Sequence, residues 1–295
     1  MSEQRSQPEE TVVGVIGGSG LYQIEGLEGA REERVPTPFG DPSDAYLTGT
    51  LGGVRLVFLP RHGRGHAIPP SAVNFRANVF GMKVLGVNRI LSVSAVGSMR
   101  EDVEPGHFVV VDQFIDRTRH RADTFFAEGI AAHVMFADPT CAEARAALLA
   151  AAREVGVTVH DGGTYLNMEG PQFSTRAESR LYRTWGVDVI GMTNVQEAKL
   201  AREAEICYAT LAMVTDFDCW HDGHDDVTVE GILAIMGRNV AQARRLILAA
   251  VPRLKRPRAC PCQGALRYAI ITDPARISTE TRARLGPLID KYLRG

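Results

Sequence analysis

The sequence lacks an apolar run that could cross a membrane, and it lacks a strong charge of either sign. No apolar stretch approaches the roughly 18 residues of a membrane span, and the polar first ten residues show no signal pattern. The formal net charge is −2, so the excess of Lys and Arg that nucleic-acid binding requires is missing. The sequence therefore predicts a cytoplasmic protein without a membrane or nucleic-acid partner.

Cysteine is scarce, because five residues in a chain of 295 are too few for a disulfide framework. Cys141, Cys207 and Cys219 stand singly, whereas Cys260 and Cys262 are separated by one proline. This spacing is shorter than that of zinc knuckles, and the sequence shows no second Cys or His pair nearby. The pattern favours an inert loop pair over a metal site and leaves a strained local disulfide open.

What the sequence does contain is an alternation of β-branched apolar runs with segments of helical periodicity. The strand candidates are residues 11–16, 54–59, 89–94, 108–112, 157–168, 187–192 and 206–214. Helical spacing appears in residues 72–85, 142–155, 176–185, 195–203 and 227–254. This order is typical of an α/β fold in which a largely parallel sheet is covered on both faces by helices.

One catalytic domain accounts for most of the chain. No repeat, low-complexity tract or long linker interrupts residues 1–254. Residues 255–295 form a C-terminal extension, in which a Pro/Cys/Gly-rich loop at 257–264 leads to a helix at 278–293. We expect this terminal helix to pack on the domain.

Three segments that follow predicted strands carry groups suited to an anion. Glycines in residues 14–21 allow backbone N–H groups to approach an anion, and Ser19 adds a hydroxyl. Their spacing does not match the dinucleotide fingerprint. Residues 61–66 combine arginines with histidines, and Ser94 lies at the end of a third strand. The alternatives are a tight turn for residues 14–21, a solvated basic loop for residues 61–66 and a plain core strand for the segment of Ser94.

Asp216 and Asp218 follow the strand predicted at residues 206–214. If extended geometry continues, residues two apart share a face, so both carboxyl groups converge. Ionising both of two adjacent carboxyl groups costs free energy, so one of them tends to keep its proton. A protonated acid beside an ionised one then offers a donor and an acceptor, which suit N7 and the exocyclic amine of a 6-aminopurine. A pair of helix N-caps is one alternative. A metal site shared with the His and Asp residues of 221–226 is another.

Seven segments together resemble the trimeric purine nucleoside phosphorylase family and, within it, the members that cleave 5'-methylthioadenosine. The segments are residues 17–21 (GGSGL), 37–40 (TPFG), 61–64 (RHGR), 112–118 (DQFIDRT), 169–174 (EGPQFS), 192–193 (MT) and 215–220 (TDFDCW). Their order is preserved over most of the predicted domain. The resemblance implies a single-domain α/β phosphorylase fold with a mixed central sheet flanked by helices on both faces.

The resemblance also implies an activity, which is phosphorolysis of S-methyl-5'-thioadenosine to adenine and 5-methylthioribose 1-phosphate in purine and methionine salvage. Inorganic phosphate is then a co-substrate, no metal or organic cofactor is needed, and the active unit is a homotrimer or a dimer of trimers. Asp216 favours adenine, since the 6-oxopurine members carry Asn there. The alternatives are a phosphorylase of methylthioinosine or purine nucleosides and, more remotely, a non-catalytic nucleotide-binding protein.

Residue roles follow from the same resemblance. Asp216 donates a proton to N7 and Asp218 orients the amine. Phosphate is assigned to Ser19, Arg61, His62, Ser94, Ala95 and Thr193. The nucleoside is assigned to Phe173, Ser174, Met192, Val229, Ile232, Leu233, His66 and His133. By composition alone Phe173 is equally a core residue or a stacking face. His133 is expected to reach the neighbouring subunit's site, and Gln196 stands where the family pattern has proline.

Overall fold

The computed structural model describes residues 10–21, 26–221 and 229–293 of the protein. For Ser19 and residues 229–234 the description extends to the backbone alone. Within the described ranges no helix combines the length and the apolar character that a membrane crossing requires.

A sheet of 11 strands forms the centre of the described part of the chain. Its strands are β1 (Val12–Gly17), β2 (Glu28–Glu33), β3 (Tyr46–Leu51), β4 (Val54–Pro60), β5 (Arg89–Ser98), β6 (Phe108–Val110), β7 (Gln113–Asp116), β8 (Val159–Asp161), β9 (Thr164–Asn167), β10 (Val189–Gly191) and β11 (Cys207–Asp216).

The ten-residue strand β5 organises this sheet, because it pairs with three neighbours. Strands β1 and β11 run parallel to β5, whereas β10 runs antiparallel to its final residues. The sheet continues through β4, β3 and β2 beyond β1, and through β9 and β7 beyond β10. Strand β11 also pairs with β6, and β6 with β8. Parallel and antiparallel pairs therefore coexist, and the predicted mixed sheet is confirmed.

Helices cover both faces of the sheet, as predicted. They are α1 (Phe75–Val84), α2 (Ala142–Val155), α3 (Arg176–Thr184), α4 (Asn194–Glu203), α5 (Val229–Ala250) and α6 (Thr279–Leu293). Alternation along β4 shows the two faces, since successive side chains of a strand point to opposite sides. Leu56 and Phe58 lie in the core with α2 and α5, whereas Val57 and Leu59 lie in the core with α1, α4 and α6.

Several predicted boundaries differ from the structure for local reasons. The single strand predicted at 157–168 is wrong, because Gly162 and Gly163, with φ of 87° and 152°, separate β8 from β9. Helix α5 ends before the predicted residue 254, since a short 3-10 helix containing Pro252 follows it. Strand β2 escaped prediction because most of its residues are polar and exposed, so it has no apolar alternation.

The C-terminal extension packs on the rest of the chain through α6. Leu285, Leu288 and Ile289 of this helix are buried in the core that α1 and α4 share. Upstream of α6, the extension forms an isolated bridge between Ile270 and Ala132. The C-terminal extension therefore contributes to the same hydrophobic core as the sheet.

The sequence-based expectation that no second cysteine pair lies near Cys260 and Cys262 is wrong. Folding brings Cys141 and Cys207 to them, and all four sulfur atoms lie within 4.8 Å of one another. Cys141 precedes α2 and Cys207 begins β11. Residues that stand singly in sequence thus form one cluster, because the start of β11 and the start of α2 meet beneath the C-terminal loop.

The buried leucine of α2 provides a test of this core. Leu148 is fully buried, whereas Leu181 of α3 is 49% exposed. We expect Leu148→Ala to lower the free energy of unfolding by about 2–5 kcal/mol, since it leaves a cavity between α2 and the sheet. Leu181→Ala is the matched control and should change it by less than about 1 kcal/mol. Urea unfolding followed by circular dichroism measures both, and equal losses would contradict the packing described.

Candidate active site

The functional segments meet at one edge of the sheet because their strands are parallel. Strands β1, β4 and β11 run parallel to β5 or to each other, so their carboxyl ends lie on the same side. The turn at Gly18, the segment beginning with Arg61, and Asp216 follow these ends. The backbone N–H of Arg61 donates to the Gly17 carbonyl at 3.0 Å, which joins the first two segments. Such an edge is where open α/β sheets bind ligands.

Arg61 is held in a buried ion pair. Its Nε donates to Glu197 Oε1 at 2.5 Å and its Nη2 donates to Glu197 Oε2 at 3.2 Å. Nη2 also donates to Ser92 Oγ, and Nη1 donates to the Val93 carbonyl. Burial lowers the pKa of Arg61, but the Glu197 carboxylate outweighs this and raises it above the ordinary value. Among the described residues, these contacts use four of the five guanidinium N–H groups, and an Nη1 donor remains for an anion.

Glu197 is a functional residue that the sequence reasoning missed. It lies in α4 and is 1% exposed. Ser92 and Tyr208 donate hydrogen bonds to its Oε2 at 2.7 and 3.0 Å. Asn194 Nδ2 donates to Ser92 Oγ, which extends the network to the first residue of α4. A buried carboxylate needs such partners, but in sequence Glu197 resembles any acidic residue of an amphipathic helix.

Ser94 and Thr193, both predicted phosphate ligands, come together around one hydroxyl group. Ser94 is 7% exposed and its Oγ lies 3.4 Å from the Tyr165 hydroxyl. The Tyr165 hydroxyl also hydrogen-bonds the backbone of Thr193. Thr193 is the N-cap residue of α4, and its side chain makes no capping hydrogen bond. The Tyr165 hydroxyl therefore links Ser94 of β5 to the N-terminus of α4, a kind of helix end that favours anions.

His62 is neutral in this environment. Burial lowers its pKa to about 4, and the charge of Arg61 contributes in the same direction. His62 Nδ1 lies 2.8 Å from the Ile68 carbonyl, so this nitrogen carries the proton and Nε2 is an acceptor. The ring stacks on His66 at a centroid distance of 4.2 Å. A neutral imidazole accepts a hydrogen bond from a protonated phosphate oxygen, which differs from the donor role that the sequence suggested.

Asp216 and Asp218 are brought together, although not through extended backbone as predicted. A register shift precedes Asp216 in β11, and Asp218 has a φ of 53°. The chain therefore turns, and the backbone N–H of Asp218 donates to Asp216 Oδ1 at 2.8 Å. Thr215 Oγ1 donates to Asp216 Oδ2 at 2.7 Å. Gly97 faces this turn, and a Cβ there would lie 2.8 Å from Asp216 Oδ1.

The pKa values of both carboxyl groups are raised. Burial raises the pKa of Asp216, and the neighbouring charge of Asp218 raises it further. Burial also raises the pKa of Asp218, which is 8% exposed. Within the described residues neither side chain caps a helix, and neither is exposed to solvent. They form an acidic pair beside the carboxyl end of β5, in which Asp218 is buried and Asp216 is partly buried.

The loop that carries Phe173 and Ser174 lies against this acidic turn. Cys219 Sγ donates to the Ser174 carbonyl at 3.3 Å. Phe173 is 48% exposed, so it is not a core residue, and its role as a stacking face stays a prediction. Met192 closes the same region, because a Cβ at Gly170 would lie 2.5 Å from its Sδ. The structure therefore joins the predicted base and ribose segments.

Gln196, which departs from the family pattern, joins a second polar network. Its side chain is fully buried, and its Nε2 donates to Thr118 Oγ1 at 2.8 Å. Its Oε1 accepts from Arg121 Nη1, which also donates to the Met192 carbonyl. Arg121 Nε donates to Glu169 Oε1 at 3.1 Å. Gln196 thus connects the start of α4 to the segment that carries Met192.

For four of the predicted site residues, the structure does not describe the side chain. The side chains of Ser19, Val229, Ile232 and Leu233 lie outside the described part of the structure, although Val229 begins α5. His133 is exposed and lies elsewhere, where its N–H donates to the Ala269 carbonyl at 2.9 Å.

Comparison with known proteins agrees with this geometry. The profile of the Phosphorylase superfamily matches residues 12–252. The S-methyl-5'-thioadenosine phosphorylase of Geobacter sulfurreducens is 64% identical over 96% of this chain and 100% of its own length. The protein of the same name from Koribacter versatilis is 55% identical over 95% of this chain and 96% of its own.

Solved structures show the same relationship. A methylthioadenosine phosphorylase from an Antarctic soil metagenomic library superposes with a TM-score of 0.91 at 45% identity, over 95% of this chain and 99% of that one. The methylthioadenosine phosphorylase of Schistosoma mansoni in complex with tubercidin gives a TM-score of 0.80 at 38% identity, over 88% and 96% of the two chains. On its fold, its site and these relatives, the chain belongs to the Phosphorylase superfamily and, within it, to the S-methyl-5'-thioadenosine phosphorylases.

Proposed function

We propose that the protein cleaves S-methyl-5'-thioadenosine with inorganic phosphate, forming adenine and 5-methylthioribose 1-phosphate. The observation that carries this proposal is the acidic pair of Asp216, which is partly buried, and Asp218, which is buried. The pKa values of both are raised, and they lie across from the basic and hydroxyl groups of the anion site. Ser94 and Gly97 are three residues apart along β5, so strand geometry separates the two ends by about 10 Å. This span accommodates a ribose between a phosphate and a purine.

Asp216 acts as the general acid. As the bond between purine and ribose stretches, negative charge develops on the base and N7 becomes more basic. Each Asp216 oxygen accepts one hydrogen bond from the protein and keeps a second lone pair for a proton. The proton passes from Asp216 to N7, and Asp218 accepts a hydrogen bond from the exocyclic amine. Adenine then leaves as a neutral base.

Phosphate is the nucleophile and needs no metal or organic cofactor at the reacting atoms. Arg61, Ser94 and the N-terminus of α4 supply donors to its oxygens, and His62 Nε2 accepts from a protonated one. The anion stabilises the positive charge that develops on the ribose and then bonds to its anomeric carbon. Val229, Ile232 and Leu233 supply the apolar surface for the methylthio group in this proposal.

The active unit is proposed to be a homotrimer or a dimer of trimers. The backbone N–H of His133 pairs with Ala269 of the C-terminal extension. Three large apolar side chains near this pairing are exposed, Met135 by 82%, Tyr268 by 91% and Ile271 by 64%. Exposed apolar side chains that cluster in this way are typical of subunit contacts. A neighbouring subunit on this surface places His133 at an interface.

The direct test is a phosphate-dependent release of base. Purified protein is incubated with S-methyl-5'-thioadenosine, adenosine, inosine or methylthioinosine, each with and without phosphate, and free base is quantified by chromatography. We expect adenine only when phosphate is present and the highest kcat/KM with S-methyl-5'-thioadenosine. A higher kcat/KM with a 6-oxo substrate would contradict the adenine assignment. If no base is released and the protein binds a nicotinamide nucleotide tightly, the proposed enzymatic activity is contradicted.

Replacing the acid tests its role. Asp216→Asn should lower kcat with S-methyl-5'-thioadenosine by about 10²–10⁴-fold, because an amide does not protonate N7. The same variant should improve activity with methylthioinosine relative to adenine substrates, since an amide donates to a 6-oxo group or N7. Asp290→Asn, at an exposed position of α6, is the matched control. Unchanged kinetics in Asp216→Asn would exclude this residue as the acid.

His62 makes a defined contribution to pH dependence. Its pKa falls to about 4 in the folded protein, below the value of roughly 6.5 expected in an unfolded chain. The unfolded state therefore binds more protons between these values, so the stability from His62 is complete above pH ~6.5 and is lost as pH falls to ~4. We expect His62→Gln to show a shallower loss of unfolding free energy in this window. His120→Gln, at an exposed position without an assigned role, should match the parent.

A further inference from the structure

We infer that Cys141, Cys207, Cys260 and Cys262 form a structural site for one zinc ion, which joins the C-terminal extension to the domain. The four sulfur atoms lie within 4.8 Å of one another. A tetrahedral tetrathiolate site with Zn–S bonds of about 2.3 Å requires sulfur separations of about 3.8 Å. The arrangement therefore needs small side-chain adjustments and no change in backbone topology. This site is independent of the catalytic proposal.

The four cysteines come from three separate parts of the chain. Cys141 is the N-cap residue of α2 and Cys207 is the first residue of β11. Cys260 and Cys262 lie on the loop of the extension, on either side of Pro261, which begins a short 3-10 helix. A cation that is bound by all four cysteines links these three parts of the chain directly.

The thiols are free and not bridged. Cys207 Sγ and Cys260 Sγ are 3.3 Å apart, well beyond a disulfide bond of about 2.05 Å. All four residues are free cysteines and at most 9% exposed. Four thiols that converge in an apolar core match the ligand set that zinc prefers.

One zinc ion with four thiolates has a formal charge of −2. The chain preceding Cys260 is strongly basic (residues 253–258, RLKRPR), which offsets that charge.

Contacts outside the cluster hold the loop in place. The backbone N–H of Ala259 donates to Glu143 Oε1 in the first turn of α2, at 3.0 Å. Arg258 Nη1 donates to the Glu205 carbonyl, two residues before Cys207, at 2.8 Å. The loop is therefore anchored beside α2 and β11 by groups other than the cysteines, and the ligands are preorganised for the ion.

The first experiment uses the unmodified full-length protein. Protein purified without chelators is analysed for metals by mass spectrometry, and zinc is followed with a colorimetric indicator while p-hydroxymercuribenzoate titrates the thiols. We expect close to one zinc per chain, released in proportion to modification of four thiols. Protein produced in cobalt-supplemented medium should show the thiolate-to-cobalt charge-transfer and intense visible bands of a tetrahedral sulfur site.

Variants then assign the ligands. Cys260→Ser and Cys262→Ser should each lower the zinc content at least several-fold and lower Tm by about 5 °C or more, because bound zinc contributes folding free energy. Cys219→Ser is the matched control for metal content, since Cys219 is the one cysteine outside the cluster. It should retain one zinc per chain.

Two outcomes overturn the inference. One is protein with less than a tenth of an equivalent of zinc, four titratable thiols and no cobalt spectrum. The other is a mass decrease and peptide mapping that show disulfides among these cysteines in freshly prepared protein. Because the cobalt and zinc measurements use the unmodified chain, poor folding of a serine variant leaves the test intact.

Discussion

The buried ion pair between Arg61 and Glu197 is the interaction on which the site depends. It joins the turn after β4 to α4, and Ser92 of β5 hydrogen-bonds both partners. Removing one member of such a pair costs about 3–5 kcal/mol, because the other charge stays buried without compensation. The pair therefore sets the position of the α4 N-terminus relative to β5, and with it that of Thr193 relative to Ser94.

A second constraint operates at the opposite end of the site. The turn after β11 bends so that Asp216 accepts the backbone N–H of Asp218, which holds the Asp216 carboxyl group and the Asp218 backbone against Gly97. Burial raises the pKa of each carboxyl group, so the pair holds a proton to higher pH than exposed carboxyls do. One strand, β5, thus connects a cationic end and an acidic end, and a nucleoside with its phosphate lies along it in the proposed reaction.

The C-terminal extension belongs to the same structural unit. Helix α6 adds to the core on one face of the sheet, whereas the loop carrying Cys260 and Cys262 closes the core on the other. The extension also pairs with the segment of His133, so it couples the sheet to the surface assigned to a neighbouring subunit.

The sequence alone determined the α/β class, the order of most strands and helices, and the family, because apolar periodicity and short ordered motifs are local properties. It also indicated Arg61, Ser94, Asp216 and Asp218, since each ends or follows a predicted strand, and the family resemblance added Thr193. Tertiary structure alone decided that Arg61 is paired with Glu197, that His62 is neutral, and that four cysteines converge. The ion pair and the contact between Cys207 and Cys260 join residues 136 and 53 positions apart, and the lowered pKa of His62 depends first on burial. No local pattern in a sequence records such distances or burial.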